Sequence, residues 1–171
     1  MPWLSENPLW ESFASRALFS ATYGGADFGE CARAIDRIAD GGVDAWHREW
    51  ATQARALVDA SDASAAAGHP VSAREAYLRA TTYYRTAYLP LFGEPTDERL
   101  RETFARECEA FATAAPLWDT PVELVEIPFE DHETLHGVLV CRDDTGQARP
   151  TIVHVRRRAG QGIRVARSAE P

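Results

Sequence analysis

The sequence contains no lysine: all 18 of its basic residues are arginine, against 26 acids and a formal charge of −8. That bias fits a GC-rich coding sequence and is not a sign of phosphate recognition. Cysteine is scarce as well. Cys31, Cys108 and Cys141 lie far apart, with no Cys-x-x-Cys pair and an odd count. Neither a zinc site nor a disulfide framework is therefore expected, and all three read as small apolar core residues. No apolar run approaches the roughly 18 residues that a membrane helix needs, so no membrane span is expected. The N-terminus lacks a basic segment leading into an apolar one, which argues against a secretory signal and for a cytoplasmic location.

Charge is unevenly spread. Arg156, Arg157, Arg158, Arg164 and Arg167 fall in the last 16 residues with one acid, Glu170. The preceding 155 residues hold 13 arginines and 25 acids, a net charge of −12. A body this acidic repels a phosphate backbone, so no nucleic-acid partner is expected, although the tail alone could hold anions weakly. At 171 residues, 45% hydrophobic and 10% aromatic, the chain can bury a real core as one domain, or as one domain and a fragment of a second.

Residues 8–115 read as helix after helix. Leu9, Trp10, Phe13, Ala17 and Leu18 form one stripe over Pro8–Ala21. Asp27-x-x-Glu30 fits a reciprocal cap for a second helix that Gly41-Gly42 stops. A long helix from Asp44 to Gly68 places Trp46, Trp50, Ala54, Leu57 and Val58 on one face. Ser72-x-x-Glu75 predicts the start of a fourth, carrying Tyr77, Ala80, Tyr84, Ala87 and Tyr88. The fifth runs from about Asp97 to Ala115, with Leu100, Phe104, Cys108 and Phe111 as its stripe.

After Pro121 the period drops to two. Val122, Leu124 and Ile127, then Leu135, Val138 and Val140, predict an antiparallel hairpin. Asp143-Asp144-Thr145-Gly146 predicts a turn before Thr151–Val155, a third strand with the continuous apolar character of one buried on both faces. The fold class is therefore α+β: a bundle of about five helices followed by the first two or three strands of a sheet. The expected divisions are a helical region at 1–120, opening strands at 121–155, and an irregular, basic, disordered tail at 156–171.

The run Tyr23-Gly-Gly-Ala-Asp-Phe-Gly-Glu30, the Trp46-x-x-x-Trp50 pair and the segment from Gly68-His69 through Tyr83-Tyr84-Arg85 resemble one group of α/β hydrolases. This is the group with an N-terminal helical cap, pseudooxynicotine-hydrolase-like and dipeptidyl-aminopeptidase-like. Ile127-Pro128-Phe129, Leu135-x-Gly137 and Arg149-Pro150-Thr151 are similar to the start of its hydrolase domain. The resemblance covers about residues 8–155. It implies hydrolysis of a small-molecule ester, amide or C–C bond by a Ser-Asp-His triad, with the serine on a Gly-x-Ser-x-Gly elbow.

No Gly-x-Ser-x-Gly occurs in the chain. The one serine after the strands begin is Ser168, with no histidine following it. Where the resemblance implies a glycine pair for the oxyanion loop stand Arg156 and Arg157, whose side chains would crowd it. No catalytic, cofactor or metal residue can be assigned, no cofactor is expected, and the chain reads as a truncated, inactive hydrolase. The abrupt change after Val155 suggests a reading-frame disruption, which a hydrolase-like elbow encoded downstream in another frame would bear out.

Several constellations have plainer readings. His132 and His136, with Glu133 between, would stand about 13 Å apart on one strand face, too far for a single ion. Glu130 and Asp131 beside His132 have no nucleophile to serve. His154 reads as a hydrogen-bonded core histidine. Tyr77, Tyr83, Tyr84 and Tyr88 either fill the core or line a substrate cavity, with core favoured; left uncovered, that face would favour self-association. The alternative architecture is an all-helical interaction module of tetratricopeptide character, against which the irregular helix spacing counts.

Overall fold

The computed structural model describes residues 4–38, 41–129 and 133–154. The readings placed on Glu130, Asp131, His132, Val155 and the arginine tail with Ser168 lie outside the described residues.

Helix α1 (Pro8–Phe19) begins where Asn7 Oδ1 accepts the Leu9 N–H at 2.9 Å, with Pro8 at the first helical position. It tightens into a 3₁₀ turn, Ser20–Tyr23, and ends at Gly24, whose φ of +82° belongs to glycine. Helix α2 (Phe28–Ile38), α3 (Gly42–Ala66) and α4 (Pro70–Tyr88) follow. Asp97 caps α5 (Glu98–Ala114) by accepting the Arg99 N–H at 2.9 Å. Strands β1 (Val122–Phe129) and β2 (Glu133–Val140) complete the regular structure.

Ser72 does not cap α4. The helix starts two residues earlier at Pro70, whose fixed φ suits the first turn and whose absent N–H costs nothing there. Ser72 is thus already helical, and Glu75 is freed from the capping role. The helices run to 12, 11, 25, 19 and 17 residues, so no repeating unit supports the tetratricopeptide alternative.

The core is an aromatic column where α1, α3 and α4 meet. Trp10 stacks on Trp46 at 4.7 Å and 21°, Trp46 meets Trp50 at 5.6 Å, and Trp50 meets Tyr83 at 5.3 Å. Trp46 also donates its indole N–H to the Thr86 carbonyl at 2.8 Å. All four tyrosines of the α4 stripe are buried. Because α4 supplies such large groups, its neighbour must supply small ones. Helix α5 accordingly buries Thr103, Ala110 and Ala114. Of the expected α5 stripe, Leu100 and Phe111 are half-buried while Phe104 and Cys108 are exposed, which corrects the core reading of Cys108. Cys31 is fully buried as expected, and burial pushes its thiol up to about 11.

The hairpin pairs Val122 with Val140 through Phe129 with Glu133. Cross-strand partners share a face, so one face carries Leu124, Val138 and Val140 and the other Ile127, Leu135 and Leu139, all exposed. Residues 151–154 form no strand, Ile152 is 92% exposed, and His154 is exposed rather than in the core. A strand buried on both faces needs a ladder partner and a layer on each side. Among the described residues neither is offered to it.

Candidate functional site

The most organised polar site joins the turn before α2 to the middle of α4. Asp27 Oδ1 accepts the Glu30 N–H at 2.9 Å, so half of the expected reciprocal cap forms. The other half is rerouted. The Tyr83 hydroxyl accepts the Asp27 N–H at 2.9 Å and donates to Glu30 Oε2 at 2.7 Å, bridging the two ends of the capping box. Arg79 Nε donates to the same Glu30 oxygen at 3.1 Å. Burial, above all, drives the Tyr83 phenol far above its ordinary range, so it stays a hydroxyl. The Cys31 thiol lies 3.9 Å from that hydroxyl.

Glycine permits this geometry twice. Gly24 takes the left-handed backbone, and Gly25 packs so closely on Ser20 that a Cβ would stand 2.9 Å from Ser20 Cβ. Beside the turn opens a cleft of about 350 Å³ lined by Gly24, Ala26, Asp27, Glu30, Glu75 and Arg79. A second, of about 430 Å³, lies under the chain entry to α1, among Leu4, Asn7, Trp10, Ile35 and Asp36.

A hydroxyl–imidazole pair, which periodicity does not reveal, links α3 to α5. His47 Nε2 lies 2.9 Å from Thr103 Oγ1. This pair is not a nucleophile and its base. Thr103 is buried in mid-helix, and the carboxylates nearby serve another partner: Asp44 and Asp97 accept from Arg99 at 2.8 and 2.6 Å. Burial first, then Arg99, lowers the His47 pKa, opposed by Asp97, Asp44 and Glu102. A depressed folded-state value makes His47 a stabilising neutral group above its unfolded value of about 6.5. That contribution is lost as pH falls through the lower folded value. Chemical denaturation of the wild type and His47→Gln between pH 7.5 and 5 should show a fall in wild-type stability that the variant lacks.

Two further tyrosine–carboxylate pairs tie helices together. Tyr77 donates to Asp62. Tyr88 donates to Glu107 at 2.5 Å, and burial raises the pKa of Glu107. His136 stands exposed, 3.9 Å from Glu126. Among the described residues no three His, Cys, Asp or Glu side chains converge on a point that could hold a metal, and no helix is long and apolar enough to cross a membrane.

No family model matches the chain. A hydrolase of Pyricularia oryzae, ORFZ, is 44% identical over 119 residues, 67% of this chain and 28% of that protein. The α/β hydrolase pydG of an Acremonium species is 37% identical over 135 residues, 79% of this chain and 31% of that protein. The crystal structure of a 2,6-dihydroxy-pseudo-oxynicotine hydrolase superposes with a TM-score of 0.53 at 27% identity, over 64% of this chain and 29% of that one. The chain belongs to the α/β hydrolase family. It spans about 28–32% of the length of the curated hydrolases it matches. The sequence words that carry the resemblance coincide with this polar node, since Asp27, Glu30, Arg79 and Tyr83 all fall within them. In this hydrolase segment those words build a rigid junction between α2 and α4.

Proposed function

We propose that residues 1–120 are the cap of an α/β hydrolase and 121–155 the opening of its sheet. The cap shapes access to a small ester, amide or ketone substrate, and these 171 residues alone hydrolyse nothing. The observation that most supports this reading is the hairpin. Both its faces present exposed Leu, Ile and Val, the pattern of strands that sit between two covering layers. Phe104 and Cys108 on α5 are exposed as well. The matched solved structure is that of a 2,6-dihydroxy-pseudo-oxynicotine hydrolase, and a polar aromatic ketone is the substrate class we favour. The chain holds no Gly-x-Ser-x-Gly to supply a nucleophile. Purified protein assayed with p-nitrophenyl acetate should give only the background rate. Turnover abolished by a serine-directed phosphonate would overturn the inactive assignment.

A further inference from the structure

We propose that the outer edge of β2 pairs with the same edge of a second copy of this chain, joining two hairpins into one four-stranded antiparallel sheet. Among the described residues the sheet holds only β1 and β2, so each strand has one free edge. The hydrogen-bond phase tells which groups line those edges. Cys141 N–H donates to the Pro121 carbonyl at 2.9 Å, continuing the register by one pair. Antiparallel strands alternate, so the odd-numbered residues turn their backbone groups into the hairpin and the even-numbered ones turn theirs outward.

The two edges are not equivalent. Strand β1 presents Val122, Leu124, Glu126 and Pro128. A proline without an N–H and a charged side chain are the usual guards of an edge that must stay unpaired. Strand β2 presents Thr134, His136, Val138 and Val140, with no proline and no carboxylate, and all four are exposed. Such an edge is a template for another strand. Residues 151–154, the apolar segment of the same chain, do not occupy it.

The edge is complementary to itself in one register, centred on Gly137. There His136 meets Val138 of the second copy and Thr134 meets its Val140, so outward N–H and C=O groups face each other in phase. Leu135 comes opposite Leu139 of the second copy on one face, extending the Ile127–Leu135 pair already formed within the hairpin. Gly137 meets itself on the two-fold axis, where absent side chains let two backbones approach. Sliding two residues either way opposes His136 to itself or sets Leu139 on Gly137, and the leucine pairs are lost.

Charge selects this edge for a copy. The chain carries −8, so most of its surface repels another like it. The helical region enters the hairpin at the Pro121–Cys141 end. Antiparallel pairing places the two helical regions at opposite ends of an 8-residue strand, roughly 27 Å at about 3.4 Å per residue. That exceeds the screening length of about 8–10 Å at ordinary salt. The edges left outermost are those of β1, guarded by Glu126 and Pro128, so association closes at the dimer.

Pairing needs no hydrolase chemistry, so its test and the esterase assay fail independently. Sedimentation equilibrium of the full chain should show monomer and dimer alone, with a micromolar Kd. Val138→Pro removes an outward N–H that the hairpin does not use, and should leave a monomer with the wild-type circular dichroism. Leu124→Pro, the matched change on the outer edge of β1, should leave the Kd unchanged. Mixing Leu135→Cys with Leu139→Cys, each also carrying Cys108→Ser and Cys141→Ser, should give a disulfide-linked pair on oxidation, because such partners stand with Cα atoms about 4.5 Å apart. That cross-link decides the case should Val138→Pro fail to fold. A monomer at millimolar concentration, growth past the dimer, a folded Val138→Pro that still dimerises, or no mixed disulfide would each overturn the proposal.

Discussion

Trp46→Ala should lower unfolding stability by about 5 kcal/mol, the upper end of the range for truncating a large buried aromatic. Trp46 is fully buried and touches Trp10, Phe13 and Trp50 with ring centroids at 4.7, 5.9 and 5.6 Å. It is therefore the point where α1 is held against α3. Its indole N–H also binds the Thr86 carbonyl, fixing α4. Truncation opens a cavity bordered by rigid rings that cannot collapse into it, which is why the upper range applies. Urea denaturation followed by far-ultraviolet circular dichroism would measure the change without relying on tryptophan fluorescence. A loss below about 1 kcal/mol would mean that the column does not hold α1 in place. Trp46→Phe, which keeps a ring but removes the donor, should fall between the two.

Tyr83→Phe should cost about 3 kcal/mol although it removes a single oxygen. That oxygen serves two groups at once. Without it the Asp27 N–H loses its acceptor, and the Glu30 carboxylate, whose side chain is 13% exposed, keeps only Arg79. The loss is of buried polar satisfaction rather than of volume, so a pair of variants can separate the two. In a double-mutant cycle, Tyr83→Phe and Glu30→Gln should couple by about 1–2 kcal/mol, as residues of one hydrogen-bond network do. Additive losses would show the bridge to be energetically idle. The same substitution should loosen the Tyr23–Phe28 turn, visible as faster amide exchange at Asp27.

Helix positions were legible because each depends on residues near in sequence. Asp27 and Asp97 each accept from an N–H two or three residues on, near the helix starts read from the pattern, although Glu30 does not complete the reciprocal cap. Ser72 shows the limit of that reasoning. The Ser-x-x-Glu spacing is present, but Pro70 makes an equally good start two residues earlier, and one helix can use only one. The period-two segments from Val122 to Val140 gave the hairpin for the same local reason. The third strand failed because a ladder is a property of two segments, and apolar character at 151–154 cannot provide the neighbour.

What the sequence by itself determined is the order of elements, the aromatic spacing that builds the column, and the absence of a Gly-x-Ser-x-Gly elbow. The tertiary structure alone decided which polar groups meet. Tyr83 lies 56 residues from Asp27, and His47 lies 56 from Thr103, so no periodicity could pair them. It also decided that α5 buries Ala110 and Ala114 fully while Phe104 stays exposed, since that choice depends on the tyrosines already occupying the facing side of α4. Local spacing fixes backbone hydrogen bonds within a few residues; burial and polar pairing are settled only when distant segments compete for the same space.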